Sequence, residues 1–171
     1  MTARIVSLDA GKRRVYGALS FDGRTCAELH GFDPEDCDDT AAQNSYWDLC
    51  VLERQNINRN TPNWQSTLDC ERAGQRVAGR LRCPVVEYTA AQWKGGIKKP
   101  QHHLHLWRIL EPSERALFPE GTFEVIRKAC EVLAKTGEVK NYSFEDNNFL
   151  DALALLCFEV ERLGRGGARI V

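Results

Sequence analysis

Apolar residues recur along the first third of the chain with the spacing of β-strands. Arg4–Gly11 contains a short apolar run that predicts a buried strand. Arg14–Phe21 alternates apolar and polar positions, and Thr25–Phe32 is a similar segment. Between them lie Asp22 and Gly23, a pair typical of a two-residue hairpin turn in which both positions adopt positive φ. The sequence therefore opens with a predicted three-stranded antiparallel meander.

The pattern then changes to one in which strands and helices alternate. Asp48–Gln55 contains four consecutive apolar residues, which is typical of a strand buried on both faces of a parallel sheet. An acidic connection over Asp33–Tyr46 precedes this strand. After the strand, the pattern predicts a helix, a short strand and three further helices. These are Trp64–Leu81, Val85–Tyr88, Gln101–Leu110, Thr122–Lys135 and Asn147–Leu163. We expect an α/β fold with a mixed five-stranded sheet flanked by helices, forming one domain over 1–163 with a flexible tail over 164–171.

Length and composition fit one globular domain. The 171 residues are 43% hydrophobic and 27% charged, and no apolar run approaches the length that spans a membrane. No signal-peptide pattern opens the sequence, so we expect a cytoplasmic protein without membrane contact. The seven cysteines are scattered and include no CxxC pair, which favours reduced thiols over disulfides or a zinc site.

The net charge of −1 hides a strong separation of charge along the chain. Glu28–Asp48 holds seven acids and no Lys or Arg, whereas Arg72–Arg108 holds eight bases and one acid. Such runs are either solvated surfaces or a basic face for a polyanion, and both interpretations stay open. The candidate DNA-binding side chains are Arg72, Arg76 and Arg80 on one helix face, and Lys94, Lys98 and Lys99 in a glycine-containing loop.

Three histidines, His102, His103 and His105, lie within the basic segment. They lack metal-site spacing with any cysteine, so we expect surface or dimer-interface roles rather than a zinc site.

Three carboxylates occupy positions where a charge is costly. Asp9 and Glu53 each end an apolar strand, and Asp151 lies within the apolar helix segment Phe149–Leu156. A buried carboxylate needs ionic compensation, and hard divalent cations such as Mg²⁺ prefer oxygen ligands. Asn148 lies on the same helical face as Asp151, and Asp146 lies at the helix entry, where its ordinary role is an N-cap.

Five segments resemble, in the right order, motifs of the RuvC family of Holliday-junction resolvases in the ribonuclease H-like superfamily. Ile5–Gly11 resembles the family's first strand, which ends in Asp-x-Gly, and Leu52–Gln55 resembles the stretch that carries its catalytic glutamate. Ala73–Ala78 falls where a Gly/Ala/Arg-rich helix follows. Glu87–Lys99 resembles the segment that contacts DNA, and Leu150–Leu155 resembles an Ala-Asp-Ala-Leu-Ala helix.

The resemblance implies a homodimeric endonuclease that resolves four-way DNA junctions and leaves 5′-phosphate and 3′-hydroxyl ends. It implies two Mg²⁺ ions, with Mn²⁺ as a substitute, about 4 Å apart. Asp9 would bridge both ions, and Glu53 and Asp151 would complete the ligand set. Asn148 departs from the Asp or His that the family has at that position. Either Asn148 ligates through its carbonyl oxygen, or Asp146 substitutes for it, or the second metal is held loosely.

Other departures concern substrate contacts and additions to the core. The family's aromatic residue near the catalytic glutamate is absent, and Trp64 or Trp93 is a candidate replacement. The helix Thr122–Lys135 resembles an addition to the family core. Such divergence is consistent with a phage-type member acting in a bacterial or phage-infected cell.

Two other functions use the same features. A junction-binding protein with an impaired catalytic site would explain Asn148. An actin-like phosphate-binding half-domain would explain the opening Leu-Asp-x-Gly, but that class requires two such domains and no acid on the last helix.

Overall fold

Five strands form one mixed sheet at the centre of the structure, a computed structural model that describes residues 3–36, 46–60, 62–140, 142–144 and 146–164. The strands are β1 (Ile5–Ala10), β2 (Val15–Ser20), β3 (Glu28–Phe32), β4 (Leu49–Arg54) and β5 (Val85–Thr89). Their order across the sheet is β3-β2-β1-β4-β5. β1, β2 and β3 pair antiparallel, whereas β4 pairs parallel to both β1 and β5. This arrangement confirms the predicted α/β class and is the mixed sheet expected of a ribonuclease H-like fold.

Helices cover both faces of this sheet. Within the described residues they are α1 (Trp64–Arg80), α2 (Ala90–Trp93), α3 (Lys99–Ile109), α4 (Pro112–Arg115), α5 (Thr122–Thr136) and α6 (Asn147–Gly164). The four longer helices confirm the sequence prediction to within two residues at each end. The single turns α2 and α4 were not predicted, because a four-residue segment carries too little periodicity to identify.

The alternation of β1 assigns its side chains to two separate cores. Val6 and Leu8 pack in a cluster with Ala73 and Val77 of α1. Ile5 belongs to the cluster formed with α6, and the hydroxyl of Ser7 donates a 2.6 Å hydrogen bond to the carbonyl of Ala152. Since residues i, i+2 and i+4 of a strand share one face, Asp9 also projects toward α6.

Helix α1 approaches the sheet closely at Gly74. A Cβ atom on Gly74 would lie 2.9 Å from the Cβ of Ala10 and 2.9 Å from Cδ1 of Leu52. Glycine is therefore favoured here by the close contact of the helix with β1 and β4, the two strands that carry Asp9 and Glu53 near their carboxyl ends.

The predicted two-residue turn at Asp22 and Gly23 is wrong in its length. β2 ends at Ser20 and β3 begins only at Glu28, so the connection is seven residues long. Gly23 has φ +66°, but Asp22 is not among the described residues with positive φ. Its carboxylate instead accepts hydrogen bonds from the backbone N–H groups of Arg24 and Thr25, at 2.8 and 2.9 Å. An Asx-type interaction thus replaces the tight turn.

Several predictions concern residues outside the described ranges. Most of the acidic connection falls in 37–45. The predicted tail over 164–171 also lies outside them, except for Gly164, which belongs to α6. None of the six cysteines within the described residues forms a disulfide. None of the described helices combines the length and the apolarity that crossing a membrane demands.

Candidate metal centre

Asp9 and Glu53 are neighbours at the carboxyl ends of two adjacent parallel strands. In the β1–β4 register, Leu8 pairs with Leu52, so the next residue of each strand lies at the same edge of the sheet. Both carboxylates project to the face that α6 covers, since Ser7 and Val51, two residues earlier on each strand, pack against that helix. The local cause is the regular alternation of two apolar strands that end together.

Asp151 reaches the same point from α6. The hydrogen bond from Ser7 to the carbonyl of Ala152 fixes the helix against β1 one residue beyond Asp151. Asp151 is almost completely buried, with 3% of its surface exposed. Its charge acts on both Asp9 and Glu53, as expected for three carboxylates that converge on one crevice.

The three carboxyl groups have unequal proton affinities. Burial, followed by the charges of Asp151 and Glu53, raises the pKa of Asp9 to about 8. Burial also raises the pKa of Glu53, in spite of the nearby Lys94. Burial alone would raise the pKa of Asp151, but the hydrogen bond from His103 and the positive lysines lower it. If all three groups were ionised, the crevice would hold three negative charges beside two lysines, and the raised pKa leaves Asp9 largely protonated at pH 7.

Two lysines from the basic segment provide the partial compensation. Nζ of Lys99 lies 2.5 Å from Oδ2 of Asp151, and Nζ of Lys94 lies 3.8 Å from Oδ1. The ammonium group of Lys94 also lies 4.9 Å from the ring centroid of Trp93. Both lysines were predicted to contact DNA, and that role is untested. Their positions place positive charge beside the carboxylates.

His103 is the main feature of the site that the sequence prediction missed. Its side chain is completely buried, so the predicted surface or dimer role is wrong for this histidine. Nε2 lies 3.1 Å from Oδ1 of Asp151, and Nδ1 lies 2.9 Å from the hydroxyl of Tyr142. The i, i+4 spacing of Lys99 and His103 on α3 was the available signal, because it places both side chains on one helix face.

His102 lies at the edge of this cluster. His102, His103 and Asp151 each offer one potential metal-ligating atom, and these three atoms lie within 4.8 Å of one another. Nδ1 of His102 is buried without a hydrogen-bond partner. Burial, and next the neighbouring His103, lower the pKa of His102 to about 4, so its ring is neutral at pH 7.

Trp93 is unavailable as the aromatic residue that would stack against DNA. Its side chain is only 6% exposed and packs in the α6 core. Its indole N–H favours the charged form of Glu53, although it makes no hydrogen bond of conventional geometry. The candidate role of Trp93 in substrate contact is therefore wrong, whereas Trp64 is partly exposed at the start of α1.

Asp146 and Asn148 flank the first turn of α6. The carbonyl of Asp146 accepts a 3.0 Å hydrogen bond from the N–H of Leu150, which places Asp146 at the N-terminal boundary of the helix. Asn148 is partly exposed and lies one turn before Asp151. Neither position decides which of the two, if either, contributes a ligand, so both assignments stay predictions.

Three of the other predicted DNA-binding residues, Arg76, Arg80 and Lys98, form hydrogen bonds or ion pairs within the protein. Arg80 donates to the carbonyls of Asp33 and Asp36, at 3.1 and 2.5 Å, and also to that of Pro34. Arg76 pairs with Glu35, and Nζ of Lys98 lies 2.6 Å from the carbonyl of Gly137. Arg72 is exposed. Arg76 and Arg80 thus hold the acidic segment after β3, and a role in DNA binding remains a prediction for all of them.

Comparison with known proteins finds similarity in structure but not in sequence families. No protein-family model and no curated protein matches the chain. The chain is similar in structure to T. thermophilus RuvC in complex with a Holliday junction substrate, with 14% sequence identity and a TM-score of 0.49. The match covers 96% of this chain and 98% of the RuvC chain. A similarity of this degree does not place the chain in a family.

Proposed function

We propose that this protein is a metal-dependent endonuclease that acts on branched DNA, with Asp9, Glu53 and Asp151 as the metal ligands. The observation that supports the proposal is the mutual electrostatic interaction of three carboxyl groups carried by β1, β4 and α6. Burial, followed by the charges of Asp151 and Glu53, raises the pKa of Asp9 to about 8, and a divalent cation would favour the ionised form of the cluster. Oxygen donors of this kind fit Mg²⁺ or Mn²⁺.

The remaining groups of the crevice suit the handling of a phosphodiester. When bound, a pair of divalent cations supplies an activated water and stabilises charge on the leaving oxygen. Lys94 and Lys99 place ammonium groups where a phosphate would approach the carboxylates. The buried indole of Trp93 favours the charged form of Glu53. The chain's own part is thus to hold acidic ligands together and to attract the DNA backbone.

Four-way junctions are the proposed substrate because of the ordered resemblance of five segments to RuvC-family motifs. The same resemblance supports a homodimer, since two symmetric cuts require two active sites related by a twofold axis. Junction binding without cleavage is the second candidate, and Asn148 favours it. The actin-like alternative gives no role to Asp151 and is the weakest of the three.

The deciding experiment maps cleavage products on a synthetic mobile four-way junction, with Mg²⁺, with Mn²⁺ and with chelator. We expect metal-dependent paired nicks with 5′-phosphate ends. Asp9→Asn should reduce cleavage roughly 1,000-fold, about 4 kcal/mol of transition-state stabilisation, while junction binding persists. Asp33→Asn is the matched acid-to-amide control, because Asp33 is exposed after β3 and outside every candidate ligand set, and we expect it to cleave.

Binding without nicking in either metal would favour the second candidate. Equal activity of wild type and Asp9→Asn would remove the proposed metal centre altogether.

A further inference from the structure

Tyr142, His103 and Asp151 form a chain of hydrogen bonds that connects three parts of the fold. The Tyr142 hydroxyl lies 2.9 Å from Nδ1 of His103, and Nε2 of His103 lies 3.1 Å from Oδ1 of Asp151. Tyr142 precedes α6, and its carbonyl accepts a 3.2 Å hydrogen bond from the side chain of Asn147. His103 comes from α3. These hydrogen bonds therefore fix α3 and the first turn of α6 relative to the Asp151 carboxylate.

Only one placement of the protons on these three groups keeps the His103 imidazole neutral and satisfies both hydrogen bonds. An ionised carboxylate only accepts hydrogen bonds, so Nε2 of His103 must carry the proton that it donates to Asp151. A neutral imidazole has one N–H, so Nδ1 must accept, and the Tyr142 hydroxyl must be its donor. A doubly protonated ring would add a third cation beside Lys94 and Lys99.

This arrangement divides the two oxygens of Asp151 between different tasks. Oδ1 accepts from the buried imidazole, whereas Oδ2 lies 2.5 Å from the ammonium group of Lys99. Both ring nitrogens of His103 are engaged, so neither offers a lone pair to a metal. A cation in the crevice would therefore meet Oδ2, on the side that Lys99 now occupies.

We infer that His103, held by Tyr142, is a positioning residue that fixes the Asp151 carboxylate with Oδ2 directed toward the cation. The inference rests on the proposed function, because it assigns Asp151 as a metal ligand. Hydrogen-bond partners that orient a ligand typically change metal affinity 10- to 100-fold when they are removed.

The competing arrangement is direct ligation by the histidines. The ligand atoms of His102, His103 and Asp151 are close enough to share one ion. Ligation of a metal by His103 would break its hydrogen bond either to Asp151 or to Tyr142. The hydrogen bonds therefore favour the positioning role, and substitution can separate the two.

The test measures Mn²⁺ affinity of the full-length chain by calorimetry for wild type and four variants. His103→Ala should weaken Mn²⁺ binding about 10- to 100-fold. His103→Gln should stay within about threefold of wild type, because its side-chain amide can still donate to Asp151. Tyr142→Phe should weaken binding a few-fold, and His102→Gln should leave it unchanged. Equal losses in His103→Ala and His103→Gln, or a loss in His102→Gln, would assign the histidines as ligands and overturn the inference.

A second measurement needs neither metal nor activity. Nitrogen-15 NMR of histidine-labelled protein at pH 7.5 should find His103 as the neutral tautomer protonated at Nε2. A proton on Nδ1 would overturn the hydrogen-bond assignment. Should His103→Ala fail to fold, this spectrum and the His103→Gln and Tyr142→Phe affinities still decide the question.

The two proposals fail in different ways. If wild type binds Mn²⁺ with the expected variant pattern but cleaves no DNA, the nuclease function fails and the positioning role stands. If wild type cleaves junctions and His103→Ala binds Mn²⁺ as tightly as wild type, only the positioning role fails.

Discussion

The ammonium group of Lys99 lies 2.5 Å from Oδ2 of Asp151, at the oxygen that a divalent cation would use. The side chain of Asp151 is 4% exposed and that of Lys99 is 33% exposed, so the lysine can leave toward solvent while the carboxylate stays in place. Under the proposed function, Lys99 would compete with a metal for Asp151 and would contact phosphate once a metal displaced it.

Replacing Lys99 should separate metal binding from DNA binding. Lys99→Gln removes the competing charge, so Mn²⁺ should bind tighter by roughly 1 kcal/mol, about fivefold. The same change removes a phosphate contact, so junction affinity should fall and its salt dependence should weaken by about one phosphate. Calorimetry and a salt titration of binding measure the two effects.

Lys98→Gln is the matched control, because Lys98 contacts the carbonyl of Gly137 instead of a carboxylate. We expect the metal affinity of this variant to be unchanged. A Lys99→Gln protein that binds Mn²⁺ more weakly would contradict the competition.

Stability in metal-free buffer should fall as the pH rises from about 6.5 to about 8. The pKa of Asp9 is about 8 in the fold and near 3.8 when unfolded, so the native state holds a proton that the unfolded state has lost. Unfolding then releases a proton, and its free energy decreases with pH, on the order of 1 kcal/mol per unit. The lowered pKa values of His102 and His103 act in the opposite direction, but only below their unfolded value of 6.5.

Denaturant unfolding at several pH values, with and without Mn²⁺, measures this dependence. Asp9→Asn should flatten the profile between pH 6.5 and 8 and should be more stable than wild type at pH 8 without metal. Stabilisation by Mn²⁺ should be larger at pH 8 than at pH 6.5 for wild type. A wild-type profile as flat as that of the variant would refute the assignment of the raised pKa to Asp9.

Gly74 and Gly79 form a matched pair of glycines on α1. Gly74→Ala would place a methyl group 2.9 Å from atoms of Ala10 and Leu52, so we expect a loss of about 1–3 kcal/mol in the free energy of unfolding. Gly79→Ala meets nothing within 4 Å and should gain up to about 1 kcal/mol from helix propensity. Thermal or urea unfolding compares them. Similar effects in both variants would mean that α1 does not press on β1 and β4 as described.

Arg80 should contribute more to stability than Arg76, although both belong to one predicted DNA-binding face. Arg80 binds three backbone carbonyls of the segment after β3, so Arg80→Ala should cost about 1–2 kcal/mol. Arg76 forms an exposed pair with Glu35, so Arg76→Ala should cost less than about 1 kcal/mol. Urea unfolding of the two variants ranks them, and the reverse order would count against the carbonyl contacts.

The amino-acid sequence by itself determined the strands, the longer helices and the three strand- or helix-borne carboxylates. Apolar periodicity is a local property, so β1, β4 and α6 were identified without knowledge of their neighbours. The expectation that Asp9 and Glu53 end adjacent strands follows from the same pattern, because parallel strands that finish together bring their next residues to one edge. Asp151 was visible as a charge within an apolar helix.

Only the tertiary structure decided what compensates these charges. The pairing of Lys99 and His103 with Asp151, and of Tyr142 with His103, joins residues that are 39 to 52 positions apart or lie on different helices. The sequence pattern treated these lysines as a surface and His103 as exposed, because charge runs give no information about which side chains turn inward. Burial is set by how α3 packs against α6, and that packing depends on the whole fold. The same physical reason made Trp93 a core residue and made Arg80 a support for the chain that follows β3.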